Sequence, residues 1–342
     1  MLAAMPPAER PPPAALLQLI VGRWVSAAVG VAARLGVADE LEPGPQAPEA
    51  IAASVGADVA TLRRLLRALA SVGVFAEDAD GRYQNTPLSK QLQTGPTSLR
   101  SFAVMMGHPA VTAAWDDLLA AVRTGTSPFE RVNGAPLFEY CQGDATLGDA
   151  FNAAMTARSA MEIDPILAAF DFAGPRTLVD VGGGHGLFLA RVLACNPEQR
   201  GVLLDLPGVV AGAPPVLEAA GVAARVDVVA GDFFDGIPGG ADGYVLKRIL
   251  HDWSDDAAAR LLRHVHAAAP VDARLFVLDA VIEPGNAPDF AKLLDLQMLV
   301  FTSGGRERTR AEWNALLSGA GFALEREIST AAPISILEAR RV

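Results

Sequence analysis

One histidine is the first candidate for chemistry in this chain. His251 stands in L-K-R-I-L-H-D-W, residues 246–253, just past an apolar run, Tyr244 to Lys247, that reads as a strand. A neutral imidazole needs less tuning than any other side chain to take a proton near neutral pH, as a general base must. Of the five histidines, His264 and His266 fall on a helical surface and His108 and His185 in turns, so His251 is the candidate base. A carboxylate beside it would fix its tautomer and stabilise the imidazolium, and Asp279 and Glu307 lie in strand-end or loop segments able to supply one.

A second group is T-L-V-D-V-G-G-G-H-G-L, residues 177–187, in which a strand carrying Asp180 runs into four glycines within five residues and then into the helix-like stretch Leu187 to Ala194. Glycine lets backbone approach a ligand closely, and a helix start offers unpaired N–H groups. A dinucleotide fingerprint counted from Gly182 would need its third glycine at position 187, where Leu stands. Asp180 before the turn repels a pyrophosphate but tolerates a cation. Asp205, closing the strand Gly201 to Leu204, is placed to bind a ribose diol. Both features suit S-adenosylmethionine, whose ammonium and sulfonium are positive. Asp232 followed by Phe233 suits an adenine, the carboxylate accepting from the exocyclic amine and the ring covering the base. Methyl transfer from a sulfonium is an in-line displacement that needs no metal and no covalent enzyme intermediate.

These residues need a scaffold, and the chain from residue 171 supplies one. Leu178 to Val181, Gly201 to Leu204, Val226 to Ala230, Tyr244 to Lys247 and Arg274 to Leu278 read as strands with helical stretches between them, which predicts a doubly wound parallel sheet in an α/β domain. Ligands in such sheets bind beyond the carboxyl ends of the strands, where Asp180, Asp205, Asp232, Phe233, Lys247 and Asp279 stand.

The N-terminal part reads differently. Met1 to Pro13 is proline-rich and expected to fray; Ala14 to Leu35 is helical in spacing but apolar around much of its circumference, which suits either an interior helix or one shared with a second subunit. Gln46 to Val55 and Asp58 to Val72 read as helices, followed by a hairpin of Gly73 to Phe75 with Arg82 to Gln84 around Asp80-Gly81. Helix, helix, hairpin is the order of a winged helix. Leu99 to Phe170 is helical in tendency, with turns at Gly107-His108-Pro109, Gly125 to Pro128 and Asn133-Gly134. Phe151, Met155 and Arg158 recur there at helical spacing, as a core stripe or as the lining of an apolar ligand pocket.

Composition bounds the class. At 342 residues, 51% of them hydrophobic, the chain is long enough for two domains and a large core. Its apolar stretches are interrupted by charges, and its start lacks a signal-peptide pattern, so a cytoplasmic protein with no membrane span is expected. Two cysteines, Cys141 and Cys195, fit neither a disulfide framework nor a cysteine zinc site. The net charge of −11 argues against a broad nucleic-acid surface.

Together, L-V-D-V-G-G-G-H-G, L-L-D-L-P, G-D-F-F, L-K-R-I-L-H-D-W-S-D-D and G-G-R-E-R-T resemble the S-adenosylmethionine-dependent O-methyltransferases of the plant caffeate type and their bacterial relatives in polyketide and antibiotic tailoring. The resemblance covers almost the whole chain. It implies a winged-helix dimerisation domain over residues 1–98, a helical connecting and substrate-lining segment over 99–170, and a Rossmann-like catalytic domain over 171–342. It also implies a homodimer and a small aromatic acceptor. Residue by residue, it puts Gly182, Asp205, Leu206, Asp232, Phe233 and Lys247 on the cofactor, and His251 as base flanked by Asp279 and Glu307. Phe151, Met155, Arg158, Met298 and Thr302 fall on substrate-lining positions. Two departures stand out: Asp279 where plant members usually carry Glu, and Arg248 where they have Trp.

Other readings compete. Arg63, Arg64 and Arg67 on the second helix would suit a DNA-binding regulator, but a His-acid constellation has no purpose in one. A nicotinamide-dependent reductase lacks its third glycine. Nitrogen or carbon could replace oxygen as acceptor, and some relatives keep the cofactor but decarboxylate or hydroxylate, usually with the base altered; His251 favours transfer.

Overall fold

The computed structural model describes residues 11–342 and divides into two compact units: the chain up to Ala113 with Phe138–Arg158, and Ala114–Leu137 with Ser159–Val342. The expected fraying of Met1 to Pro13 lies largely outside the described residues.

The first unit is helical. It opens with α1 (Pro12–Leu35), where proline occupies the first turn, a place that needs no N–H. α2 (Val37–Glu40), α3 (Pro48–Val55) and α4 (Val59–Ser71) follow, α4 capped by Asp58, which accepts from Thr61 N at 2.8 Å. The hairpin β1 (Phe75–Glu77) and β2 (Tyr83–Asn85) comes next. It starts two residues later than expected because the Asp78 carboxylate accepts from both Asp80 N and Arg82 N and closes the tip over residues 78–82. Leu41, Ile51, Leu66, Leu69, Phe75 and Tyr83 form its core. The unit also holds α5 (Arg100–Met106), the start of α6 (Pro109–Asp116), most of α9 (Leu137–Gly143) and the first half of α10 (Ala145–Ala169).

α1 departs from the interior-helix alternative. Leu16, Leu17, Leu19, Ile20 and Trp24 are exposed, Trp24 by 72%, and only Gly30, Ala32 and Ala33 of this helix are buried. Its apolar circumference exceeds what its own chain covers. By length and composition it is also long and apolar enough to cross a membrane, so the charge interruption expected to forbid this, Arg23, does not.

The second unit takes α7 (Leu118–Thr124) and α8 (Pro128–Asn133), which end at left-handed Gly125 and Gly134 as the turn signals predict. Besides the end of α6, the second half of α10 and short 3-10 turns, it holds β3 (Thr177–Val181), α11 (Leu187–Cys195), β4 (Arg200–Asp205), α12 (Pro207–Val210), α13 (Ala213–Ala219), β5 (Val226–Ala230), β6 (Gly243–Lys247), α14 (Asp255–Ala268), β7 (Arg274–Asp279), β8 (Val281–Ile282), α15 (Phe290–Phe301), β9 (Arg308–Thr309), α16 (Arg310–Gly319), β10 (Phe322–Ser329) and β11 (Ser335–Arg341).

The main sheet has seven strands in the order β10-β11-β7-β6-β3-β4-β5. Successive residues of its strands feed opposite faces. Leu178, Leu203, Val245 and Phe276 bury into one core, and Val179, Leu204, Tyr244, Leu246 and Val277 into the other. This explains why those strands read as continuous apolar runs. The five strands read from the sequence pair in parallel, as expected, and two strands that were not read complete the sheet, β11 pairing antiparallel with both β7 and β10. The edge strand F-A-L-E-R-E-I-S interleaves charge with apolar residues and gives no such run. The order reverses at β3, flanked by β4 and β6, and that crevice is where ligands of such sheets bind.

Candidate active site

His251, the candidate base, is positioned by a short 3-10 turn, Leu250–Asp252, that follows β6 and leaves it only 5% exposed. Its Nδ1 lies 2.7 Å from Glu307 Oε1 and 3.4 Å from Asp279 Oδ1. An ionised carboxylate only accepts, so Nδ1 carries the proton and Nε2 is left as the basic nitrogen, a tautomer assigned from the hydrogen bond. Asp252 Oδ1 stands 3.5 Å from Nε2. Both flanking acids are fully buried. Asp279 therefore reaches the imidazole despite its short side chain. Burial raises its pKa and nearby Glu307 adds to this, while His251, Arg248 and Arg308 oppose it.

Arg248 sits beside this group. Its backbone is left-handed, φ 58°, unusual for a residue other than glycine. In a regular strand, side chains 247 and 248 would point oppositely. Here both reach Glu162 of α10: Lys247 Nζ donates to Oε2 at 2.9 Å and Arg248 Nη2 to Oε1 at 2.8 Å. Lys247 also donates to Ser159 Oγ at 3.0 Å, and Arg248 Nη1 lies 3.7 Å from Asp279. Glu162, buried between two cations, is a residue that sequence reasoning missed; its stripe with Met155 and Arg158 was the only signal available.

The segment carrying Glu307 is locked to the turn carrying His251. Arg306 N donates to His251 O at 2.8 Å, and a Cβ on Gly305 would lie 2.6 Å from that same carbonyl, so only glycine lets the two backbones meet. Glu307 N donates to Asp295 Oδ1 at 2.8 Å. Thr302 and Met298 are buried close by: Thr302 Oγ1 donates to Met298 O, and Met298 packs with Ala280, next to Asp279. Phe151, Met155 and Arg158 lie on α10 within the first unit, half-buried, Phe151 edge-on to Phe138.

At the crevice, Gly182 has φ 71° and accepts no side chain: a Cβ would lie 2.6 Å from Ile249 Cδ1 and 3.4 Å from Phe233 Cε1. Asp205 accepts from Gly184 N at 2.8 Å and Leu206 N at 2.7 Å, which orients its carboxylate across the glycine turn. Leu206 itself is exposed. Asp232 accepts from Phe234 N at 2.8 Å, and Phe233 stands edge-on to Trp253, 6.0 Å between centroids. Asp180 is buried and its pKa is pushed up to about 7, chiefly by burial, with Lys247 opposing and Asp205 adding to the rise. A buried acid of this kind, a backbone cradle closed to any Cβ and an oriented carboxylate fit an adenosyl sulfonium.

A switch-point crevice beside a buried histidine held by acids defines a small-molecule transferase of the Rossmann-like class. The chain belongs to the O-methyltransferase family: the family's O-methyltransferase domain matches residues 115–323 and its dimerisation domain residues 17–95. This is a family of S-adenosylmethionine-dependent enzymes. The chain is similar to a phenazine O-methyltransferase of Lysobacter antibioticus, 40% identical over 96% of each chain. It is also similar to an 8-amino-8-demethylriboflavin N,N-dimethyltransferase of Streptomyces davaonensis, 39% identical over 92% of this chain and 91% of the other. A solved O-methyltransferase of neocarzinostatin biosynthesis, in complex with S-adenosylmethionine and 2-hydroxy-5-methyl naphthoic acid, superposes with TM-score 0.80 at 34% identity, covering 93% of this chain and 96% of that one.

Proposed function

We propose that this enzyme methylates a phenol or enol hydroxyl of a small aromatic natural product in secondary metabolism, with His251 as general base. The observation that carries this is the 2.7 Å contact between His251 Nδ1 and buried Glu307, which leaves Nε2 free of that bond and basic. Nε2 takes the hydroxyl proton, and Glu307, with Asp279 behind it, stabilises the imidazolium. S-adenosylmethionine, when bound, supplies an electrophilic methyl group. Gly182 lets it approach the backbone, Asp205 with Leu206 takes the ribose, Asp232 and Phe233 the adenine, and Lys247 stands toward the methionine end. Phe151, Met155, Arg158, Met298 and Thr302 are the proposed acceptor residues, carried over from the family resemblance.

The remaining organisation follows the same reading: a winged-helix dimerisation domain over 1–98, a helical segment over 99–170, a catalytic domain over 171–342, and a cytoplasmic homodimer. The exposed apolar face of α1 supports the homodimer. An amine acceptor is the second reading, favoured by the similarity to the riboflavin N,N-dimethyltransferase.

The test is formation of S-adenosylhomocysteine with a panel of hydroxyphenazines, hydroxynaphthoates and their amino counterparts, for wild type and His251→Ala. Turnover of hydroxyl acceptors, lost in the variant while calorimetry shows retained cofactor binding, is the expected result. Undiminished turnover in His251→Ala refutes the assignment of the base, and turnover of amines alone refutes the acceptor class.

A further inference from the structure

We propose that Arg308 is the positioning residue of the base, gripping the backbone on both sides of His251. Its side chain is fully buried. Nη1 donates to Leu250 O at 3.0 Å and Nη2 to Trp253 O at 3.0 Å, the carbonyls that bracket His251-Asp252. Nε donates to Asp255 Oδ1 at 2.9 Å, in the first turn of α14, and Nη1 also reaches Arg306 O at 3.3 Å. The guanidinium lies over the Trp313 ring, 5.1 Å from its centroid, and Trp313 Nε1 donates to Ala280 O at 3.2 Å, one residue past Asp279.

One side chain and the ring it rests on thus tie together the three segments that carry His251, Asp279 and Glu307. Glu307 sets the imidazole from its side-chain end, and the next residue sets it from its backbone end. A planar fork with fixed donors matches carbonyls arranged around it; an ammonium, a point with three rotatable donors, does not. A 3-10 turn has weaker internal hydrogen bonds than an α-helix, so external donors decide where its middle residue points.

The proposal rests on His251 being the base, and its test separates the two. Arg308→Lys, His251→Ala and the double variant are assayed on the best-turned-over hydroxyphenazine. Expected for Arg308→Lys is a kcat loss of roughly 10- to 100-fold, as for a misplaced reacting group, with both KM values within about twofold. In the double variant the lysine adds no further loss beyond His251→Ala, because Arg308 acts through that histidine. Wild-type kcat per folded molecule in Arg308→Lys, or a loss that multiplies with His251→Ala, overturns the role. Full activity of His251→Ala instead overturns the base itself, whatever Arg308→Lys does. If Arg308→Lys does not fold, Asp255→Ala, at a carboxylate 57% exposed, removes the acceptor of Nε and is expected to lower kcat about threefold at constant KM; an unchanged kcat there counts against the proposal.

Discussion

Replacing Glu307 by glutamine removes a charge and keeps the shape. The bond altered, at 2.7 Å between two groups both nearly inaccessible to water, joins an imidazolium to a carboxylate in the wild type and to a neutral amide in the variant. Charge-assisted hydrogen bonds contribute about 1.5–3 kcal/mol, and that difference appears where the imidazolium forms, in the transition state. The expected loss in kcat is therefore roughly 10- to 150-fold, with cofactor affinity unchanged. Asp279→Asn is the internal control. Its carboxylate stands at 3.4 Å, both oxygens lack a hydrogen-bond partner in the structure, and Arg248 lies 3.7 Å away to offset its charge. Burial also pushes its pKa up, and nearby Glu307 adds to the rise. With no hydrogen bond to the imidazole to lose, its replacement should cost less than about tenfold. Single-turnover rates at saturating S-adenosylmethionine measure both. Equal effects, or a larger one at Asp279, would show that distance to Nδ1 does not rank the acids.

Three further outcomes are expected. Gly182→Ala should weaken S-adenosylmethionine binding at least about tenfold by calorimetry, since a left-handed alanine costs about 1–2 kcal/mol before its Cβ meets Ile249; an unchanged Kd would remove Gly182 from the site. Asp180 has a folded pKa of about 7 against an ordinary 3.8, so between those values rising pH ionises it in the unfolded chain first and stability falls. Asp180→Asn should abolish that fall, gaining on the wild type by up to about 4 kcal/mol between pH 4 and 8 in urea titrations, whereas a pH-independent gap would contradict the buried charge. Ile20→Asp with Trp24→Asp should convert the proposed dimer to a monomer in light scattering, and a persistent dimer would place the interface elsewhere than α1.

Much of this architecture is legible in the sequence because burial writes itself as pattern. β3 and β6 are covered on both faces, so T-L-V-D-V and G-Y-V-L-K stand out as apolar runs, and the glycines at 125 and 134 end helices where their left-handed φ is needed. The candidate base, the two acids proposed to flank it and the glycine turn were legible through residue type and order. Arg308 and Glu162 were not, because a buried charge looks like a surface one until its partners are known, and those partners are backbone carbonyls or residues about 85 positions away. Arg248 was visible only as an oddity; the left-handed backbone that turns it onto Glu162 has no sequence signature outside glycine and asparagine.

The place of β11 bears on how the enzyme is made. Residues 335–341 slot between β10 and β7, and Ser335 pairs with Asp279 itself. During synthesis β7 emerges long before its partner does. At ribosomal rates of about 5–20 residues per second, the strand that ends in Asp279 waits roughly 3 to 11 seconds with one flank of N–H and C=O groups open. An apolar strand edge in that condition is a template for the wrong partner, including another nascent copy. Holdase chaperones and expression temperature should therefore govern the yield of active protein more than its final stability does, and a stalled or shortened product would carry a complete cofactor turn beside an unsealed sheet.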